Sequence, residues 1–221
     1  MFNRTIAIIL TAAIAAGLGL WLALRSESGS APGPNLEIAK LLPQPRVIAP
    51  FALSGPNGRP VTQDDLRGRW TVAFLGFTHC PDVCPTTLAE LASAEKRWRE
   101  ALPEPQRPQM LFVSVDPERD SPDRVGDYAQ FFSPHALAAT GSVADLERFG
   151  ASLLLVFTKV PLPGDNADAY TIDHSTQAVL IDPHGRFAGF IRPERDSDGR
   201  PLGMPPDKVA RDLIALAQWQ P

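Results

Sequence analysis

The longest uninterrupted apolar stretch lies at the start of the chain. From Ile6 to Leu24 every residue is apolar, Gly or Ala except Thr11, and none is charged. Such a run falls in the range of about 17–25 residues that a bilayer-crossing helix requires. It exits through Trp21-Leu22-Ala23-Leu24-Arg25, a poor cleavage site, with Trp21 suited to an interfacial position. Residues 1–25 are therefore expected to be an uncleaved membrane anchor. The amino terminus and Arg4 before the run, against Arg25 and Glu27 after it, orient the remainder outside the cytoplasm. Residues 26–46 open on Ser26-Glu27-Ser28-Gly29-Ser30-Ala31-Pro32-Gly33-Pro34 and read as a flexible linker. Residues 47–221 read as one domain.

Inside that domain, short apolar runs alternate with helically spaced ones. Pro50–Leu53 and Pro60–Thr62 flank the turn cluster Gly55-Pro56-Asn57-Gly58 and predict a hairpin. Trp70–Phe77 and Met110–Val115 have the continuous apolar character of buried strands. Thr86–Leu102 carries Leu88, Leu91, Glu95 and Trp98 along one helical face. Pro122–Phe132 is a helix with Ser121 as N-cap and Pro122 in first position, and Ser142–Phe149 is another. Leu153–Thr158, Thr176–Ile181 and Phe187–Ile191 predict strands, the last two joined by Asp182-Pro183-His184-Gly185. A closing helix from Pro206 carries Val209, Leu213 and Leu216 in one stripe, and residues 193–206 before it read as a loop. This alternation predicts an α/β sandwich with a central mixed sheet. No internal repeat interrupts it.

Composition narrows the function. The chain has 221 residues and a net charge of −4, which argues against nucleic-acid binding. Its two cysteines exclude multi-cysteine zinc modules. Both lie in Phe77-Thr78-His79-Cys80-Pro81-Asp82-Val83-Cys84-Pro85, where a buried strand gives way to a helix. Helix-terminal N–H groups favour thiolates there, and residues four apart share a helical face. The pair can hold one soft metal ion, Cu(I) or zinc, or close as a disulfide. A purely stabilising bond across so short a loop would remove little chain entropy. Three residues separate the cysteines, one more than in thioredoxin-type oxidoreductases, and Asp82 among them opposes thiolate formation.

Of the four histidines, His184 reads as a turn residue, His135 as a surface or capping residue, and His79 as a neighbour pointing away from the sulfurs. His174, in Tyr170-Thr171-Ile172-Asp173-His174-Ser175-Thr176 just ahead of a buried strand, is the candidate third ligand. Hydrogen bonding to nearby backbone is its alternative role.

The Cys80–Cys84 motif, Val115-Asp116-Pro117-Glu118-Arg119-Asp120 and Asp173-His174-Ser175, in that order, resemble the Sco/SenC family. That resemblance implies a membrane-anchored, thioredoxin-like copper chaperone for cytochrome c oxidase, a binding protein and not an enzyme. Carried over residue by residue, Cys80, Cys84 and His174 become the copper ligands, for Cu(I) with Cu(II) as the alternative, and the two cysteines a redox-active disulfide. Asp82, Asp116, Asp120 and Asp173 are expected to shape the site or meet a partner. The implied partners are the copper-bearing oxidase subunit, a dithiol reductant, another copper carrier, and the membrane through the N-terminal helix. The implied location is single-pass in a bacterial inner membrane, with the soluble domain facing the periplasm. The rival readings are a thiol–disulfide oxidoreductase acting on the oxidase cysteines, and a redox or copper sensor.

Overall fold

The computed structural model describes residues 3–27, 33–163 and 169–219. Two compact units divide the chain, one holding the N-terminal helix and the other spanning Asn35–Gln218. Helix α1 covers Arg4–Glu27. Among the described residues no helix is long and apolar enough to cross a membrane. The transmembrane anchor, and with it the single-pass inner-membrane placement facing the periplasm, is overturned on that ground. The run of residues 8–22 within α1 is diluted by small side chains. Nearly half of that run is Ala, Gly or Thr, which add little apolar area. Residues 28–32 of the expected linker lie outside the described residues.

The second unit is built on a mixed sheet. Its strands are β1 (Ala39–Val47), β4 (Thr71–Gly76), β5 (Gln109–Ser114), β6 (Leu137–Ala139), β9 (Ala178–Ile181) and β10 (Arg186–Ile191), in the order β1-β10-β9-β4-β5-β6. β4, β5 and β6 run parallel, while β4–β9, β9–β10 and β10–β1 are antiparallel. Every residue of β4 is buried, which explains why its sequence shows no alternation: a central strand is covered on both faces. Strand β1 falls, all but Val47, within the stretch read as linker. Its Pro43 and Pro45 obscure the strand pattern, yet an edge strand tolerates missing donors, and its register with β10 shifts between Leu41 and Arg46. Asp212 anchors the approach to β1 by accepting the backbone N–H groups of Glu37, Ile38 and Ala39 at 2.7–2.9 Å.

Helix α2 (Val83–Ala101) buries Leu88, Leu91 and Trp98 and packs against α5 (Pro206–Gln218). α3 (Pro122–Phe132) lies against β5 and β6, and its N-cap Ser121 accepts from the Arg124 N–H at 3.3 Å. The expected hairpin forms between β2 (Ala52–Ser54) and β3 (Pro60–Thr62). The strand expected at Leu153–Thr158 does not form there. Residues 153–155 instead close α4 (Val143–Ser152): the N–H groups of Leu153 and Leu155 both return to the Gly150 carbonyl at 2.9 Å, so they are unavailable to a ladder. The strand β7 begins only at Phe157, runs to Pro161, and pairs with β8 (Tyr170–His174) as a separate hairpin. Part of the loop expected at 193–206 is also a small hairpin, β11 (Glu194–Arg195) with β12 (Pro201–Gly203).

Candidate metal centre

The parallel register of β4 with β5 sets Gly76 beside Ser114. The chain leaving β4 becomes the cysteine loop, and the chain leaving β5 becomes Val115–Asp120. Two motifs far apart in sequence thus emerge side by side at the carboxyl edge of the sheet, where α/β proteins place their sites.

Cys84 lies in the first turn of α2 and is fully buried; Cys80 is half-buried ahead of it. Close approach here requires a glycine: a Cβ on Gly76 would stand 2.8 Å from the Cys84 sulfur. The Cys84 N–H donates to the Cys80 sulfur at 3.4 Å. The N-cap residue Asp82 makes no capping bond with its side chain, so the Cys80 sulfur takes an acceptor role at the helix start, where N–H groups and the dipole favour negative charge. The third donor arrives on β8. His174 Nε2 lies 3.5 Å from the Cys84 sulfur, and its Nδ1 is 3.0 Å from the Ser175 carbonyl. A carbonyl only accepts, so Nδ1 carries the proton and the Nε2 lone pair faces the sulfurs. Phe74 and Phe77 meet the imidazole edge-on, with ring centroids 5.9 and 6.0 Å away. The two sulfurs and the imidazole nitrogen all lie within 4.8 Å of one another, a group able to hold a metal ion.

The sulfurs differ in acidity. The neighbouring Cys84 thiol, against the cost of burial and with help from His174 and the N–H groups of Asp82 and Cys84, brings Cys80 down to about 3. Cys84 is pushed up, first by its bond to Cys80 and then by burial. One proton is thus shared, with Cys80 as the thiolate. Alkylation of the reduced chain should show it: the Cys80 rate should stay nearly level between about pH 5 and 8, whereas an ordinary thiol loses about tenfold per unit below its pKa. A tenfold decline per unit at Cys80 would contradict this assignment.

The four aspartates part company. Asp120 is buried and accepts from the Thr78 N–H at 2.8 Å, from the Thr78 hydroxyl and from the Ser114 hydroxyl. It fixes the cysteine loop to the end of β5, and its loss would leave donors unpaired at about 1–3 kcal/mol each. Asp116, also buried, accepts from Arg119 and from the Tyr170 hydroxyl, the latter at 2.7 Å. Arg119 in turn lies 3.7 Å over the Tyr170 ring and donates to the Tyr170 carbonyl at 3.1 Å. Tyr170 and His174 share a face of β8, because strand side chains alternate. Arg119 and Tyr170, which the sequence reading passed over, therefore tie the His174 strand to the segment that also holds the cysteine loop. The four-residue spacing of Tyr170 and His174 was the available signal. Asp82 is exposed and contributes only its backbone. Asp173 is exposed, opposite Thr158 in the β7–β8 register, and outside the group. His79 faces Asp120 at 3.5 Å and stands apart from the donors.

The comparisons agree with this geometry. A mitochondrial "Protein SCO2 homolog" of Bos taurus is 35% identical over 193 residues, covering 86% of this chain and 71% of its own length. A "Putative copper-binding protein" of Stutzerimonas stutzeri is 35% identical over 161 residues, 72% of this chain and 76% of its own. The solved structure of Arabidopsis thaliana ScoI with copper bound is 29% identical and superposes with a TM-score of 0.65, covering 78% of this chain and 100% of that one. The expected thioredoxin-like α/β fold around a mixed sheet is the fold of that structure. The SCO1/SenC family model matches residues 39–200, a stretch that runs from β1 past the cysteine loop and His174 into the β11–β12 hairpin, and the chain belongs to that family.

Proposed function

We propose that this chain is a copper carrier that holds the ion between Cys80, Cys84 and His174 and hands it to the copper-bearing subunit of cytochrome c oxidase. The observation that carries the reading is the convergence of two sulfurs and an imidazole nitrogen within 4.8 Å at one sheet edge. Relatives named for copper binding and a Sco structure holding copper support the choice of ion. Soft thiolates favour Cu(I) over the harder divalent ions. The hydrogen bond from Nδ1 to Ser175 fixes the imidazole with Nε2 free to ligate. Three donors, with Cys80 half-exposed, leave a side from which a recipient's ligand can enter, whereas a closed four-ligand site would resist exchange. Loading requires thiolates, so a dithiol reductant must keep the pair reduced, and another copper carrier is the natural source of the ion.

One observation favours a second role in thiol–disulfide exchange. An accessible thiolate at Cys80 beside a buried, protonated Cys84 is the arrangement of an attacking and a resolving thiol. Anaerobic titration of the reduced full chain with Cu(I) against a competing chelator tests the carrier reading. One equivalent should be withdrawn from the chelator; failure to compete at any ratio would sink it.

A further inference from the structure

Beside the metal centre, a surface cleft of about 770 Å³ is lined by Leu154, Ser175, Thr176, Gln177, Arg192 and Arg195, among others. It adjoins the ligand directly. Ser175 follows His174 and accepts the imidazole proton on its carbonyl, while its N–H donates to the Val156 carbonyl at 3.0 Å and its hydroxyl accepts from the Val156 N–H at 3.1 Å. The cleft wall is thus one peptide unit from the copper ligand.

Two features of the cleft bear on what it could receive. The first is charge. In a chain of net charge −4, Arg192 and Arg195 make no ion pair among the described residues. Arg192 lies 4.6 Å over the Phe190 ring, and Arg195 donates to the Gly199 carbonyl at 2.6 Å; both are exposed. The second is apolar exposure. Leu154, which takes the left-handed position (φ +57°) where α4 closes, is 54% exposed. Val156 beside it is 74% exposed. A second cleft, of about 440 Å³, shares Leu154 and is lined also by Ala151, Leu155, Val156 and Phe157, and by one acidic side chain, Glu147. An apolar ridge next to two unneutralised cations has the apolar centre and charged rim of a protein interface.

We infer that this face docks an acidic, apolar-centred segment of the protein that receives copper, with carboxylates on Arg192 and Arg195 and an apolar residue against Leu154 and Val156. The inference rests on the carrier reading. A partner with carboxylates is selected because the arginines lack neutralising groups of their own. A protein segment, not a small anion, is selected because a small anion would make no use of the Leu154 ridge.

The test uses the full chain, copper-free and Cu(I)-loaded, with a labelled peptide carrying glutamates on either side of a Leu-Cys-Leu centre. The control peptide has lysines in place of the glutamates. Anisotropy should report binding of the glutamate peptide that weakens with salt, and no binding of the lysine peptide. Arg192→Glu with Arg195→Glu should weaken the glutamate peptide by about tenfold or more and admit the lysine peptide, with Cu(I) affinity unchanged. Leu154→Asn should keep or raise the melting temperature while weakening the peptide. Equal binding of both peptides, or insensitivity to the charge reversal, overturns the inference. So does full displacement by inorganic phosphate with no effect of Leu154→Asn, which would make the cleft an anion site. A dimer in sedimentation that dissociates on charge reversal overturns it in favour of a second copy. Retained peptide binding by a chain that cannot take up Cu(I) would sink the carrier reading and leave the docking surface standing.

Discussion

Oxidation of Cys80 and Cys84 to a disulfide abolishes Cu(I) binding, and Cys84→Ala nearly does so. The two sulfurs and the imidazole nitrogen lie within 4.8 Å of one another, so closing the sulfurs on each other needs little movement of the chain. A disulfide has no thiolate to offer, and thiolates supply most of the hold on a soft ion. Loss of an outer hydrogen-bond partner costs roughly 10–100-fold in metal affinity; loss of a direct sulfur ligand should exceed that range. Cys84→Ala also empties the space that Gly76 leaves for the sulfur, so its melting temperature is followed alongside the chelator competition. The oxidised chain separates the two effects, because it retains every atom of the side chains except their protons. Oxidised protein, verified by mass, that competed for Cu(I) as well as reduced protein would place the copper elsewhere.

The cysteine pair was legible in the sequence because its information is local: two sulfurs four positions apart between a continuous apolar run and an amphipathic helix. α3 was legible for the same reason, with Ser121 and Pro122 marking its start. His174 could be singled out by its place before β9 and by the family match of Asp173-His174-Ser175. The strand that carries it escaped notice, because β7 is mostly exposed and the β7–β8 hairpin stands apart from the main sheet. β1 was lost to Pro43 and Pro45, residues that contradict a strand by propensity but suit an edge. Asp120 was expected to shape the site, but its particular donors were illegible, for a different reason. Its donors Thr78 and Ser114 come from the ends of β4 and β5, and only the parallel register brings them to one carboxylate. The N-terminal run shows the opposite error, in which the length of an uncharged run and its flanks were read as a membrane span that the described helix does not meet.

His174→Ala is expected to lower Cu(I) affinity by on the order of 100-fold while leaving the dithiol chemistry of Cys80 and Cys84 close to that of the parent chain. In the proposed site the imidazole completes the coordination, and its Nδ1 is already committed to the Ser175 carbonyl at 3.0 Å, so Nε2 is the His174 nitrogen available to a metal. The Cys80 thiolate is sustained first by the Cys84 thiol, then by His174, and then by the backbone N–H groups of Asp82 and Cys84. The largest of these, the Cys84 thiol, and both N–H groups survive the substitution. Copper capture and thiol exchange part at this one residue. Chelator competition should show weakened copper binding, and equilibration with a glutathione couple should show a reduction potential close to that of the parent. In cells under copper limitation the variant should assemble too little active oxidase, with the defect eased by added copper. If His174→Ala supports normal oxidase assembly under that limitation while Cys80→Ala does not, the pair serves as a reductant for the oxidase cysteines, and the copper-carrier reading fails.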